Sequence, residues 1–128
     1  MREHLREGSA RENLVKADLL RRGFEVYAGD GPTSFDMCAY KYDAFIRIEV
    51  KGIPPSGRFP TGPVNGYLRK PAEQFDVLAT VRDNVIKYNV SVRANFGSTA
   101  FAQCILELTN NELPSNRTTR KYLTRRQS

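Results

Sequence analysis

Asp36, Glu49 and Lys51 are the residues of this sequence whose types and spacing best suit chemistry, with Glu12 as a fourth. Residues 34–52 read S-F-D-M-C-A-Y-K-Y-D-A-F-I-R-I-E-V-K-G, a pattern of two short strands joined by a tight turn. Side chains alternate faces along a strand. Ile46, Ile48 and Val50 therefore share one face, and Phe45, Arg47, Glu49 and Lys51 the other. On the first strand Phe35, Met37 and Ala39 oppose Asp36, Cys38 and Tyr40. A hairpin with Tyr42 and Asp43 as its loop pair sets Lys41 against Ala44, Met37 against Ile48, Ala39 against Ile46 and Phe35 against Val50. One face is then wholly apolar. The same register sets Asp36 opposite Glu49, with Lys51 one step along. A slip of one residue would destroy both results.

Two carboxylates that face each other across a strand pair repel. A cation between them removes the conflict, and either Lys51 or a bound metal fills that role. Carboxylate oxygens suit Mg²⁺ or Mn²⁺, which keep several waters and accept substrate phosphate oxygens as further ligands. The competing reading is an exposed polar face with an ordinary surface ion pair.

The elements that must position these groups follow from local pattern. Residues 2–22 predict a helix in which Leu5, Val15, Leu19 and Leu20 recur among charges, with Gly23 as its stop. Glu12 falls within or beside that apolar stripe, where a carboxylate needs a partner or bends out to water. Gly8, one turn earlier, would let the helix approach something closely. Residues 24–28 predict a strand, and 29–32 a loop. Residues 52–74 hold Pro54, Pro55, Gly57, Pro60, Gly62, Pro63 and Gly66 among Arg58, Arg69 and Lys70. A loop of this length is usually functional or disordered, and the expectation is a mobile, substrate-contacting segment. Residues 75–81 predict a buried apolar strand, 82–84 a turn, and 85–90 a more exposed partner strand. Ser98 caps an expected helix over 99–109, although the apolar run 104–108 also reads as a short strand. This order predicts an α/β (α+β) domain over residues 1–113, followed by a basic tail at 114–128.

Composition bounds the function. A chain of 128 residues forms one domain that buries roughly two-thirds of its unfolded surface. No apolar run reaches membrane-span length and no secretory signal is present, so no membrane partner is expected. Cys38 and Cys104 lack metal-ligand or redox spacing, which suits a reducing, cytoplasmic setting. The single histidine, His4, lies near an end expected to fray. That excludes histidine metal cages and Ser-His-Asp triads. The net charge is +6 and the pI about 9.6. Most of that excess sits in Arg117, Arg120, Lys121, Arg125 and Arg126, with no acid among them. A basic tail on a near-neutral body suits a polyanion, nucleic acid first, or else serves only as a solvated terminus.

Taken in order, Gly8-Ser9-Ala10-Arg11-Glu12, the helix end over 20–23, Phe24 and Val26, Phe35-Asp36 and Ile48-Glu49-Val50-Lys51-Gly52 resemble the PD-(D/E)XK nuclease superfamily. The small archaeal Holliday junction resolvases and the group I intron homing endonucleases of that fold are the most similar in pattern. The resemblance covers about the first 52 residues; residues 75–90 fit the later core strands by pattern only. It implies a restriction-endonuclease-like αβββαβ core, a central mixed sheet flanked by helices. It departs from the family where Phe35 precedes Asp36 in place of proline, and where the Pro/Gly-rich loop replaces a frequent helix.

The activity the resemblance implies is Mg²⁺- or Mn²⁺-dependent hydrolysis of DNA phosphodiester bonds. Asp36, Glu49 and the Val50 carbonyl would ligate the metal, and Glu12 would bind it through water or complete a second site. Lys51 would orient or deprotonate the attacking water and offset charge at the phosphate. Arg58, Arg69, Lys70 and the tail cations would hold backbone phosphates. Cleavage of both strands of a symmetric substrate would need a homodimer or higher oligomer. An inactive DNA-binding module on the same fold and an assembly or adaptor protein are the alternatives.

Overall fold

Val15 and Leu19, one helical turn apart, are fully buried and anchor the first helix, α1 (Glu3–Arg21), to the sheet. Gly23 stops it. Its φ of +89° lets its N–H donate to Leu20 O at 3.0 Å while Phe24 N–H donates to Leu19 O at 3.0 Å. This is the paired bonding of a Schellman end, where glycine avoids the strain a Cβ would meet. Leu20, expected on the buried stripe, is instead exposed, and Leu14 packs at the core edge in its place. The structure, a computed structural model, describes residues 3–29, 35–67, 70–71 and 74–109.

After α1 come β1 (Glu25–Ala28), β2 (Met37–Lys41) and β3 (Ala44–Gly52). Tyr42 and Asp43 hold φ of 56° and 62° between the last two, the type I′ conformation whose twist matches the strands it joins. The register over β2 is the expected one: Met37 faces Ile48, Ala39 faces Ile46 and Lys41 faces Ala44. Met37, Ala39, Ile46, Ile48 and Val50 all enter the main core. Truncation of a residue such as Ile48 to alanine costs roughly 2–5 kcal/mol by lost burial and cavity formation.

Two short strands, β4 (Gly66–Tyr67) and β5 (Lys70–Pro71), pair only with each other, and β6 (Val77–Arg82), β7 (Val85–Val90) and α2 (Thr99–Thr109) complete the fold. The main sheet has five strands in the order β1-β2-β3-β6-β7. β3 and β6 run parallel and the other neighbours antiparallel. Ser98 caps α2 as expected, its Oγ accepting from Phe101 N–H at 3.1 Å.

Both helices lie on one face of the sheet. Val15 and Leu19 of α1 and Phe101, Ile105 and Leu108 of α2 share a core with Ile46, Ile48, Val50, Val77, Ala79 and Val81. Lys41 ties the helices together, its Nζ donating to Arg22 O at 2.7 Å and to Glu107 Oε1 at 2.9 Å. The other face is covered by the chain between β3 and β6. Val64, Phe75 and Leu78 form a second small core there.

The α/β (α+β) class with a mixed sheet therefore holds, with two differences from the expected layout. Among the described residues no α-helix links β3 to β6, and the second α-helix follows β7. Helices cover one face and not both. The reason is in the sequence of the crossover, whose prolines forbid a helical hydrogen-bond ladder. Among its described residues the crossover is tied to the sheet at several points. Val64 N–H donates to Val90 O at 2.8 Å and Val92 N–H to Val64 O at 2.9 Å. Asn89 Nδ2 donates to Gly62 O at 2.8 Å. Arg82 Nη1 donates to Gly57 O at 2.6 Å, and its guanidinium stacks 4.5 Å from the Phe59 ring centroid. Among the described residues no helix is long and apolar enough to cross a membrane.

Candidate functional site

β3 is longer than β2. Their pairing ends at Met37–Ile48, so Glu49 to Gly52 have no β2 residue beside them. Residues of a strand alternate in the side to which their N–H and C=O groups point. Ile48 bonds toward β2, so Val50 and Gly52 present their backbone groups to the same side, where the sheet has a notch. Asp36 lines it.

Asp36 does not continue the ladder. Its N–H donates to Ile48 O at 2.9 Å, one residue short of the register that would set it opposite Glu49. Asp36 and Met37 thus both address Ile48, the pattern of a β-bulge. Freed from the pleat, the Asp36 side chain turns into the sheet plane, where Oδ2 accepts from Val50 N–H at 2.8 Å. A carboxylate thereby takes the place a β2 carbonyl would have held. The expectation that Asp36 directly faces Glu49 is corrected on this point.

Glu12 reaches the same place from α1. It is exposed at the edge of the apolar stripe, and together with Asn13, Lys16, Val26, Ala28, Asp36 and Met37 it lines a cavity of about 150 Å³. Its carboxyl is held above the ordinary glutamate range, first by partial burial, then by the Asp36 charge and a hydrogen bond to the Asp36 carboxylate; Arg11 opposes the shift. Two acids that close share a proton or a cation. Gly8, expected to permit close approach one turn away, has nothing within 4 Å of where a Cβ would stand.

Glu49 is 2% exposed. Its register neighbour on β6 is Leu78, which belongs to the core beneath the crossover, so Glu49 projects from the face opposite the helices. Lys51 shares that face beside Thr80 and is half-buried. None of the ion pairs among the described residues includes Lys51. The structure thus brings Glu12 and Asp36 together on the notch and sets Glu49 and Lys51 on its other side. Among the described residues no group of three or more His, Cys, Asp or Glu side chains stands close enough to hold a metal ion.

The expected phosphate contacts divide similarly. Arg58 is exposed on the crossover. Arg69, the Lys70 side chain and Arg117, Arg120, Lys121, Arg125 and Arg126 lie outside the described residues. Cys38 and Cys104 are both free thiols, and burial pushes Cys104 up to about 11, which leaves it without thiolate chemistry near neutrality.

Two residues carry more than the sequence reading assigns them. Arg11 stands there only as a member of the Gly8-Ser9-Ala10-Arg11-Glu12 motif, with no role of its own. Asp76 was hidden inside an apolar run; it is 4% exposed and its carboxylate accepts from Arg47 N at 2.8 Å, Nη2 at 2.9 Å and Nε at 3.2 Å. The only available signal was a lone acid in a buried strand, which demands a cation.

As donors, Glu12 and Asp36 offer the hard oxygens that Mg²⁺ or Mn²⁺ accepts, and one or two carboxylates suffice when water and phosphate supply the remaining ligands. The raised Glu12 and the fixed Asp36 fit such an ion. No protein-family model matches the chain, and no curated protein or solved structure is significantly similar to it.

Proposed function

We propose that this chain is a divalent-metal-dependent endonuclease that hydrolyses DNA phosphodiester bonds at the β3 notch. The supporting observation is the meeting of Glu12 and Asp36 at an open cavity, with Asp36 fixed by the Val50 amide. Like charges brought together at a strand end destabilise the fold unless a proton or a cation balances them.

Glu12 and Asp36 would hold Mg²⁺ or Mn²⁺, with the Val50 carbonyl on the same side of β3 and Glu49 on the adjoining face as the remaining donors this reading assigns. A metal bound there supplies Lewis-acid polarisation of the phosphate and a more acidic water. The bulge at Asp36 fixes one carboxylate before substrate arrives. Lys51 offsets negative charge developing on the phosphate oxygens. The partner is DNA, bound by Arg58, Arg69, Lys70 and the tail cations, and a homodimer in a reducing cytoplasm completes the reading, to which the free thiols lend support.

The separation of Glu49 from the Glu12–Asp36 pair favours a second reading, a DNA-binding module without hydrolytic activity. One panel decides between them: a four-way junction, a linear duplex and a single strand, each with and without Mg²⁺ or Mn²⁺. Metal-dependent cleavage that disappears in Asp36→Asn, Glu49→Gln and Lys51→Ala supports the nuclease. Salt-sensitive binding with intact substrate in every lane refutes it and supports the module.

A further inference from the structure

Arg11 neighbours Glu12 on α1, and its surroundings differ from those of the other half-buried arginines among the described residues. Arg47 is paired with Asp76. Arg82 bonds Gly57 O and stacks on Phe59. Arg11 is half-buried yet makes no hydrogen bond or ion pair with a described residue. Its side chain lies flat over Gly52. A Cβ at Gly52 would stand 2.6 Å from Arg11 Nε and 2.7 Å from its Cδ and Cζ. The glycine that follows Lys51 thus leaves the space in which this guanidinium rests. The space opens into a cavity of about 580 Å³ lined by Ala10, Arg11, Gly52, Ile53, Pro54, Pro55, Val81 and Asp83.

We infer that Arg11 and Gly52 form a subsite for a DNA backbone phosphate next to the scissile one, a proposal that rests on the phosphodiesterase reading of the notch. A guanidinium presents a planar fork of donors that matches two phosphate oxygens. A half-buried guanidinium without an internal acceptor has lost part of its hydration without replacing it, and an incoming anion restores the missing bonds. Asp83 lines the same cavity and repels a phosphate from its own end, which confines the anion to the Arg11 end. The apolar Ile53–Pro55 wall suits the adjoining sugar and provides no competing charge. Arg11 also lowers the Glu12 carboxyl against the effect of Asp36, so the subsite and the carboxylate pair are electrostatically one neighbourhood. Arg11 is a positioning residue here; the reacting bond lies at Glu12 and Asp36.

The test measures binding of a fluorescent DNA duplex in Ca²⁺ or EDTA across a salt series, with cleavage in Mg²⁺ scored separately. Arg11→Ala is expected to weaken binding on the order of tenfold and to lower the slope of log affinity against log salt by about 0.9, the value for one phosphate contact. Arg11→Lys should keep the slope and lose part of the affinity, because it retains charge and loses the fork. Gly52→Ala is the second arm. It keeps the arginine but displaces it, and should weaken binding in the same direction while the far-ultraviolet circular dichroism stays that of the parent. Arg93→Ala, at an exposed arginine away from the notch, is the control for net charge. The proposal is overturned if Arg11→Ala leaves affinity and slope unchanged, if Arg93→Ala matches its effect, or if the parent binds no DNA. Binding that depends on Arg11 without any cleavage in Mg²⁺ would remove the hydrolytic reading and leave this subsite standing. Cleavage indifferent to Arg11 would do the reverse.

Discussion

Replacing Asp76 by alanine should destabilise the fold by about 2–3 kcal/mol, although Asp76 touches no proposed catalytic atom. The loss comes from the bonds its carboxylate makes. The carboxylate is the acceptor for the Arg47 backbone N–H at 2.8 Å, and removing it orphans an amide beside a buried strand end, at a cost of about 1–2 kcal/mol. The two guanidinium bonds, at 2.9 and 3.2 Å, are charge-assisted, but the Arg47 side chain is 36% exposed. Water re-solvates it, so together they contribute about 1 kcal/mol, well below the value of a fully buried pair. The Asp76 carbonyl also accepts from Ser91 N–H and its N–H donates to Arg47 O, and the substitution leaves these in place. Urea unfolding followed by circular dichroism reads the change as a fall in midpoint at constant slope, with a melting temperature lower by roughly 8–12 °C at about 4 °C per kcal/mol for a domain of this size. Asp76→Asn keeps an acceptor for the Arg47 amide and should cost about half as much. A loss below 1 kcal/mol for Asp76→Ala would refute the reasoning, because it would mean that the amide and the guanidinium find other partners.

Three further outcomes are expected. Gly8→Ala should stabilise the protein by about 1 kcal/mol, since Gly8 lies within α1 with nothing within 4 Å of the added methyl and alanine is the better helix former by that amount; a thermal melt checks it. Glu12 has a raised folded-state pKa, so its contribution to stability is fully present below the ordinary glutamate value of 4.5 and is lost as pH rises through the raised value. Asp36→Asn removes the repelling charge and should flatten that decline, which melts taken at intervals from pH 4 to pH 8 would show. Mg²⁺ should raise the melting temperature more at pH 8 than at pH 4, because protons and the cation compete for the same oxygens; equal shifts would separate the metal from Glu12 and Asp36.

Much of the scaffold was legible because local rules and burial agreed. The apolar alternation of Met37, Ala39, Ile46 and Ile48 allowed one register, and Tyr42-Asp43 adopted the turn that register requires. Ser98 and Gly23 marked helix ends by capping chemistry that depends on neighbours alone. The site was legible only in part. Asp36 was found, but not its turn into the sheet plane, because a bulge is set by where the partner strand stops and not by alternation. The pairing of Glu12 with Asp36 depends on the docking angle of α1, which no short motif encodes. The prolines of the crossover marked a loop, but not the bonds that Asn89, Val90 and Val92 make to it. Such long-range partners leave no local trace.

The parallel pairing of β3 with β6 also shapes how the chain reaches its native state. β1 with β2, β2 with β3 and β6 with β7 each join through a short connection, and such pairs close early because little chain entropy is lost. β3 and β6 are separated by residues 53–76, so their pairing closes a much longer loop. Two hairpin-built halves therefore assemble late around one non-local seam, and that seam contains both Glu49 and Lys51. The proposed centre is thus among the last parts of the molecule to form, and the edges of β3 and β6 stay open to a neighbouring chain until it does.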